Sequence, residues 1–238
     1  MDLLRKVAQN TVIVISTLTG SGKSTMLPAL LMANGYEKII VTQPRRLPCQ
    51  LLSNHVNSKI AGITGWAVSG IQCSADSPII YLTDGLLKEY LLFNEKLLLK
   101  RINKTKKGFV FFIDEVHERS INIDLCLALL ARLLSTKPQL TTKIKIIISW
   151  ATLDIAVSRN LFHPIKHCQF EEFILPTMNR LYNMTKHVSD ENVLDLVQTL
   201  YPTLRSGEKM LCFFKSTLEV MQSIKLLKDM GNNTIDSW

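Results

Sequence analysis

Apolar positions along the chain fall into two rhythms. Short continuous runs, rich in β-branched and aromatic residues, occur at residues 11–15 (TVIVI), 38–41 (KIIV), 79–82 (IIYL), 109–113 (FVFFI) and 143–149 (KIKIIIS). Between them the apolar residues recur at helical spacing, over 3–9, 23–33, 47–60, 86–93, 120–135 and 154–162. Unbroken apolar runs are strands buried on both faces, and their alternation with helices predicts a parallel α/β sheet covered on both sides. A Gly-rich connection at 61–70 has room for one more short strand at 65–69.

From residue 163 the pattern loosens until about residue 186. A helix over 190–204, a strand at 209–214 (KMLCFF) and a helix over 217–230 then begin a second α/β unit. The expected organisation is therefore a first domain over 1–162, a linker over 163–186 and a partial second domain over 187–238.

The polar residues that bear chemistry stand at the carboxyl ends of the predicted strands, where open α/β sheets bind ligands. The first strand runs into Thr17-Leu18-Thr19-Gly20-Ser21-Gly22-Lys23-Ser24-Thr25 and then into a helix. Strand, glycine loop, Lys-Ser and helix is the layout of a phosphate-binding P-loop. Glycines let backbone N–H groups turn toward phosphate oxygens, and the helix adds the positive end of its dipole. Lys23 is placed to reach the β- and γ-phosphates of ATP, and the Ser24 hydroxyl to ligate Mg²⁺. Thr17 stands where the usual pattern opens with glycine. A second site candidate, Asp114-Glu115-Val116-His117, follows the FVFFI run. Asp114 at a strand end suits a metal that bridges phosphates, and Glu115 suits the activation of a water. An Asp-Glu pair at a helix start also serves as a simple cap.

Charge and cysteines narrow the setting. With 28 Lys and Arg against 20 Asp and Glu, the net charge of +8 suits a polyanionic partner such as nucleic acid. The densest basic stretch, 100–107 (KRINKTKK), reads as a solvated loop or as one wall of a groove. Five scattered cysteines without a Cys-x-x-Cys pair predict a reducing, intracellular compartment, with no disulfide framework and no zinc site. No apolar run approaches the ~20 residues of a membrane span.

Taken together, the motifs resemble those of the DEAH-box ATP-dependent RNA helicases, of helicase superfamily 2. Thr19-Gly20-Ser21-Gly22-Lys23-Ser24, Thr42-Gln43-Pro44-Arg45-Arg46, Thr83-Asp84-Gly85, Asp114-Glu115-Val116-His117-Glu118-Arg119 and Ala151-Thr152-Leu153-Asp154 occur in family order. The resemblance spans about residues 12–154, and more weakly 210–214, which is similar to the first strand of a second lobe. It implies a RecA-like P-loop NTPase sheet with helices on both faces, followed by the start of a second RecA-like lobe. Lys23, Ser24, Asp114 and Glu115 would form the ATP–Mg²⁺ site, with Lys23, Glu115 and His117 as catalytic residues and His117 coupling the nucleotide to the second lobe. The remaining nucleotide contacts would come from Thr19, Gly20, Ser21, Gly22 and Thr25. Thr42, Arg45, Arg46, Thr83 and Asp84 would follow a single-stranded RNA backbone, a kind of contact that does not separate RNA from DNA. His55 falls near the family's base-stacking arginine and reads equally as a helix-surface residue.

Three departures stand out: Thr17, Val116 in place of alanine, and Trp150 in place of the serine before Ala151-Thr152. Ser149 carries a hydroxyl one residue earlier. The arginines and glutamine of the second lobe are expected to lie beyond Trp238, to be supplied by missing C-terminal domains or an activating partner. The alternative to a helicase is a degenerate module that binds nucleotide, RNA or a partner without unwinding.

Overall fold

The five apolar runs occupy the interior of one eight-stranded sheet in the computed structural model, which describes residues 2–17, 20–150, 155–174, 185–205 and 207–229, and of Trp150 the backbone alone. The strands are β1 (Val12–Ser16), β2 (Lys38–Gln43), β3 (Thr64–Val68), β4 (Ile71–Cys73), β5 (Ile79–Thr83), β6 (Phe109–Ile113), β7 (Ile144–Trp150) and β8 (Phe170–Ile174). Their order is β4-β3-β5-β2-β6-β7-β1-β8. Every pairing is parallel except the β3–β4 hairpin.

β6 lies between β2 and β7, and its five residues are each at most 1% exposed. Each large apolar side chain buried there contributes about 1.5–3 kcal/mol. Alternate residues of each strand feed two cores. On one face Phe109, Phe111 and Ile113 pack with α4 (Asp84–Phe93), α5 (Glu95–Lys104) and α6 (Ile121–Thr136) through Leu87, Leu98, Ile102 and Leu130. On the other, Val110 and Phe112 pack with α1 (Asp2–Gln9), α2 (Met26–Ala33) and α3 (Arg46–Lys59) through Val7, Leu27, Leu31 and Val56. The expectation of helices on both faces holds.

Several expected boundaries move. α2 begins at Met26 rather than at residue 23, because the residues before it turn through a glycine loop with Gly20 and Gly22 at positive φ. β4 is a three-residue strand with every side chain exposed, so no apolar run announces it; it forms because a turn at Gly70 (φ +81°) folds it back onto β3. α5 was not expected, although its buried Leu98 and Ile102 stand four residues apart on one helical face. It takes in residues 100–104 of the basic stretch read as a loop. Past its end the N–H groups of Lys106 and Lys107 donate to the Glu37 carboxylate, which holds that carboxyl below its usual range.

The span expected as linker also differs. Phe170–Ile174 inside it form β8, paired in parallel with β1 from Val12↔Phe170 to Ser16↔Ile174. This strand was missed because the adjacent Glu171 and Glu172 break its apolar run at the sheet edge. α7 (Ala156–Phe162) precedes it.

The chain divides into two compact units, Met1–Asn179 and Arg180–Trp238. In the second, α8 (Val193–Leu200) and α9 (Thr217–Asp229) appear close to where helical spacing placed them. The strand expected at 209–214 does not form: these residues run outside regular structure, with no strand paired to them among the described residues.

Candidate nucleotide and nucleic-acid site

β1 ends at Ser16, and the chain turns through the glycine loop before α2. Gly20 and Gly22 adopt φ of +82° and +80°. Such left-handed backbone favours glycine, and a Cβ on Gly22 would stand 3.2 Å from that of Met26. The Gly22 carbonyl accepts the N–H groups of Thr25 (3.2 Å), Met26 (2.7 Å) and Leu27 (3.3 Å), closing the first turn of the helix. Thr17 contributes a closure of its own, with its hydroxyl 2.8 Å from that of Ser21 across the loop. Lys23 is buried, at 8% exposure. The Ser24 carbonyl accepts the Tyr81 hydroxyl at 2.8 Å, which ties the loop to β5. Burial raises the Tyr81 pKa, and the nearby Asp114 carboxylate raises it further, so this phenol remains a donor. Leu18 and Thr19 lie outside the described residues.

Asp114 follows β6 and is fully buried. One carboxylate oxygen accepts the Gln43 amide at 2.7 Å; the other accepts the Glu115 N–H at 3.0 Å. The Asp114 N–H donates to the Thr42 hydroxyl at 3.3 Å. The end of β2 thus orients the end of β6. Glu115 then takes a left-handed conformation (φ 53°), rare for a residue with a side chain and typical of functional turns. A single 3-10 turn, Val116–Glu118, follows, and Arg119 (φ 49°) ends it with a second left-handed residue. Val116 is fully buried and pins the turn to the core, so the valine at this place has a packing role. His117 Nδ1 stands 3.3 Å from a Glu115 carboxylate oxygen.

The residues expected along nucleic acid divide into two sets. Arg45 and Arg46 are exposed at the end of β2. Arg45 lies 3.7 Å from Glu118, and Arg46 donates to the Ser69 carbonyl at 3.2 Å. Thr83 is half-buried. Thr42 and Asp84 instead turn inward, at 0% and 3% exposure, which does not fit direct contact with a phosphate backbone. Asp84 accepts the Ser120 hydroxyl at 2.7 Å, and Ser120 in turn caps α6 by accepting the Ile123 N–H. Asp84 is thereby a brace between the β5 and β6 turns. His55 is exposed on α3. Residues 151–154, the Ala-Thr-Leu-Asp motif, lie outside the described residues.

Gln43, Tyr81 and Ser120 orient the expected site residues, and motif reading singled out none of them for such a role. Gln43 ends β2, Tyr81 is the middle residue of β5 and Ser120 caps α6, and none of these places marks the residue in the sequence as a partner of the site. The donor set fits a magnesium–phosphate ligand: a buried, oriented carboxylate beside a hydroxyl-bearing loop is what Mg²⁺ uses with substrate phosphates and water. No cluster of three or more His, Cys, Asp or Glu suited to hold a metal by itself occurs among the described residues. None of the described helices is long and apolar enough to cross a membrane. A cavity of about 270 Å³, lined by Lys38, Asp76, Tyr90 and Arg101, reaches the amino-terminal ends of β2 and β6.

A largely parallel sheet with a glycine loop after one strand and an oriented Asp-Glu after another matches a RecA-like fold. The crystal structure of Escherichia coli DEAH/RHA helicase HrpB superposes with a TM-score of 0.71 over 99% of this chain and 29% of that one, at 22% identity. The sequence resembles DEAH-box ATP-dependent RNA helicases. It is 34% identical over 166 residues to "Probable ATP-dependent RNA helicase DHX34" of Homo sapiens, covering 67% of this chain. It is 25% identical over 246 residues to "Probable ATP-dependent RNA helicase DHX40" of Rattus norvegicus, covering 97% of this chain. The matched segments span 13% and 30% of those two relatives. No protein-family profile matches the chain.

Proposed function

We propose that the chain carries the ATP-binding lobe of a DEAH-type ATP-dependent RNA helicase. The observation that carries this reading is the buried Asp114, held by Gln43 at 2.7 Å with Glu115 strained beside it, on a sheet that also bears the phosphate loop. In this reading Lys23 and the backbone N–H groups around Gly20, Ser21 and Gly22 bind the phosphates. Ser24 and Asp114 hold Mg²⁺, which supplies charge neutralisation at the phosphates when bound. Thr19 and Thr25 complete the nucleotide contacts. Glu115 orients and deprotonates the attacking water. His117, paired with that carboxylate, passes the state of the nucleotide to neighbouring structure. Arg45, Arg46 and Thr83 grip single-stranded RNA through its phosphates, which sets position without reading sequence. Thr42 and Asp84 support these groups from beneath. Residues 1–162 hold this site; the full helicase cycle draws on further domains or an activating partner.

The test is nucleotide binding and ATP hydrolysis by the purified chain, with and without single-stranded RNA, beside Lys23→Ala and Glu115→Gln. Lys23→Ala is expected to lose Mg–nucleotide affinity. Glu115→Gln should keep binding and lose RNA-stimulated turnover by about 10²-fold or more. Equal nucleotide affinity in wild type and Lys23→Ala overturns the site. Tight binding with no turnover in any protein, with or without RNA, selects a nucleotide-binding module that does not hydrolyse.

A further inference from the structure

Ser149 stands near the end of β7, fully buried, and its hydroxyl has no hydrogen-bond partner among the described residues. A buried hydroxyl left unpaired destabilises the fold, so its retention needs a reason. Its place supplies one. β7 runs between β1, which leads into the phosphate loop, and β6, which leads into Asp114. Ser149 pairs in register with Ile15, and Ile148 with Ile113. One further residue along that register brings Ser149 level with Asp114. Side chains alternate along a strand, so Ser149 shares the face of Ile147, which packs in the same core as Leu27 and Leu31 of α2 and Tyr81. This is the phosphate-loop side of the sheet. Asp114 accepts one hydrogen bond at each carboxylate oxygen, from Gln43 and from the Glu115 N–H, and each oxygen keeps acceptor capacity.

We propose that Ser149 is a positioning residue of the nucleotide site. Its hydroxyl, which has no partner among the described residues, pairs on nucleotide binding with a hydration water of the nucleotide's Mg²⁺ that Asp114 also holds. The inference rests on the nucleotide reading above. It separates Ser149 from a mere substitute for the serine expected at position 150, because it assigns the hydroxyl to the metal side of the phosphate loop.

The experiment compares the full chain with Ser149→Ala and Ser149→Thr. It measures affinity for a fluorescent ADP analogue in Mg²⁺ and in EDTA, and melting temperature without nucleotide. Ser149→Ala is expected to lose about tenfold in affinity in Mg²⁺ and to change little in EDTA. Without nucleotide it should melt ~2–4 °C higher, because the unpaired hydroxyl is gone. Ser149→Thr, which keeps a hydroxyl, should recover the Mg²⁺-dependent affinity. Equal affinity of wild type and Ser149→Ala in Mg²⁺ overturns the inference while leaving the nucleotide site intact. So does an equal loss with and without Mg²⁺, or a lower melting temperature, since a packing role would do the same. A wild-type chain that binds no Mg–nucleotide overturns both readings.

Discussion

Two apolar segments of nearly the same character end in different places. Phe109–Ile113 (FVFFI) is the fully buried β6, with partners on both sides. Residues 209–214 (KMLCFF) form no strand, and Leu211 and Phe213 are 71% and 81% exposed. Composition cannot separate them. A strand interior exists only where neighbours take up its backbone N–H and C=O groups and cover its side chains. The first unit supplies those neighbours to FVFFI. The described part of the second unit supplies none to KMLCFF, and Leu218 and Met221 on α9 are exposed as well, at 67% and 62%. Exposed apolar groups of this kind mark a surface prone to association.

That contrast can be broken most sharply by trimming one aromatic from each segment. Phe112→Ala in β6 should cost about 3–5 kcal/mol, because it opens a cavity in a fully buried sheet. Phe213→Ala should change stability by less than ~0.5 kcal/mol. Urea unfolding midpoints at a common slope measure both. A comparable loss from Phe213→Ala would show that the second segment is packed after all.

A smaller effect sharpens the contrast from within the first unit. Burial lowers the Lys38 ammonium from 10.5 to about 8, with Arg101 adding to the shift and Asp76 opposing it. The folded chain gives up this proton near pH 8 and the unfolded chain near pH 10.5. Between those values the unfolded state binds more protons, so the Lys38 contribution to stability rises with pH and is flat below pH 8. Lys38→Met should flatten that rise in melting temperature, and an unchanged profile would remove Lys38 as its source.

The smallest effect is a rate difference among thiols. Burial pushes Cys49 and Cys126 up to about 12 and Cys168 up to about 11. Thiol-disulfide reagents at pH 8 should therefore modify the exposed Cys73 first. Half-buried Cys212 in the second unit should follow, and Cys49 and Cys126 should react only on unfolding. Early modification of Cys49 or Cys126 would mean that the first core opens as readily as the second unit.

Much of this was legible before any tertiary structure. Continuous β-branched and aromatic runs gave the central strands β1, β2, β5, β6 and β7, because a strand buried on both faces has no polar positions to hide it. Helical spacing placed α1, α3, α4, α6 and α9 within a few residues of their ends. The two edge strands were harder. β8 carries Glu171 and Glu172, and β4 carries no buried residue, since edge strands face water.

Amino-acid order alone places the groups that follow the strands: the glycines that permit φ near +80°, Lys23 and Ser24 after them, and the Asp114-Glu115 pair after β6. The period of the pattern and the chemistry of single residues are local, and they survive without a partner. Tertiary packing alone sets Gln43 against Asp114 and Tyr81 against Ser24, turns Asp84 inward to Ser120, and leaves the Ser149 hydroxyl without a partner among the described residues. Those partners stand 36 to 71 residues apart, and they meet through strand register and the packing of helices across it. A hydroxyl or an amide carries no mark in the sequence of the group it will face.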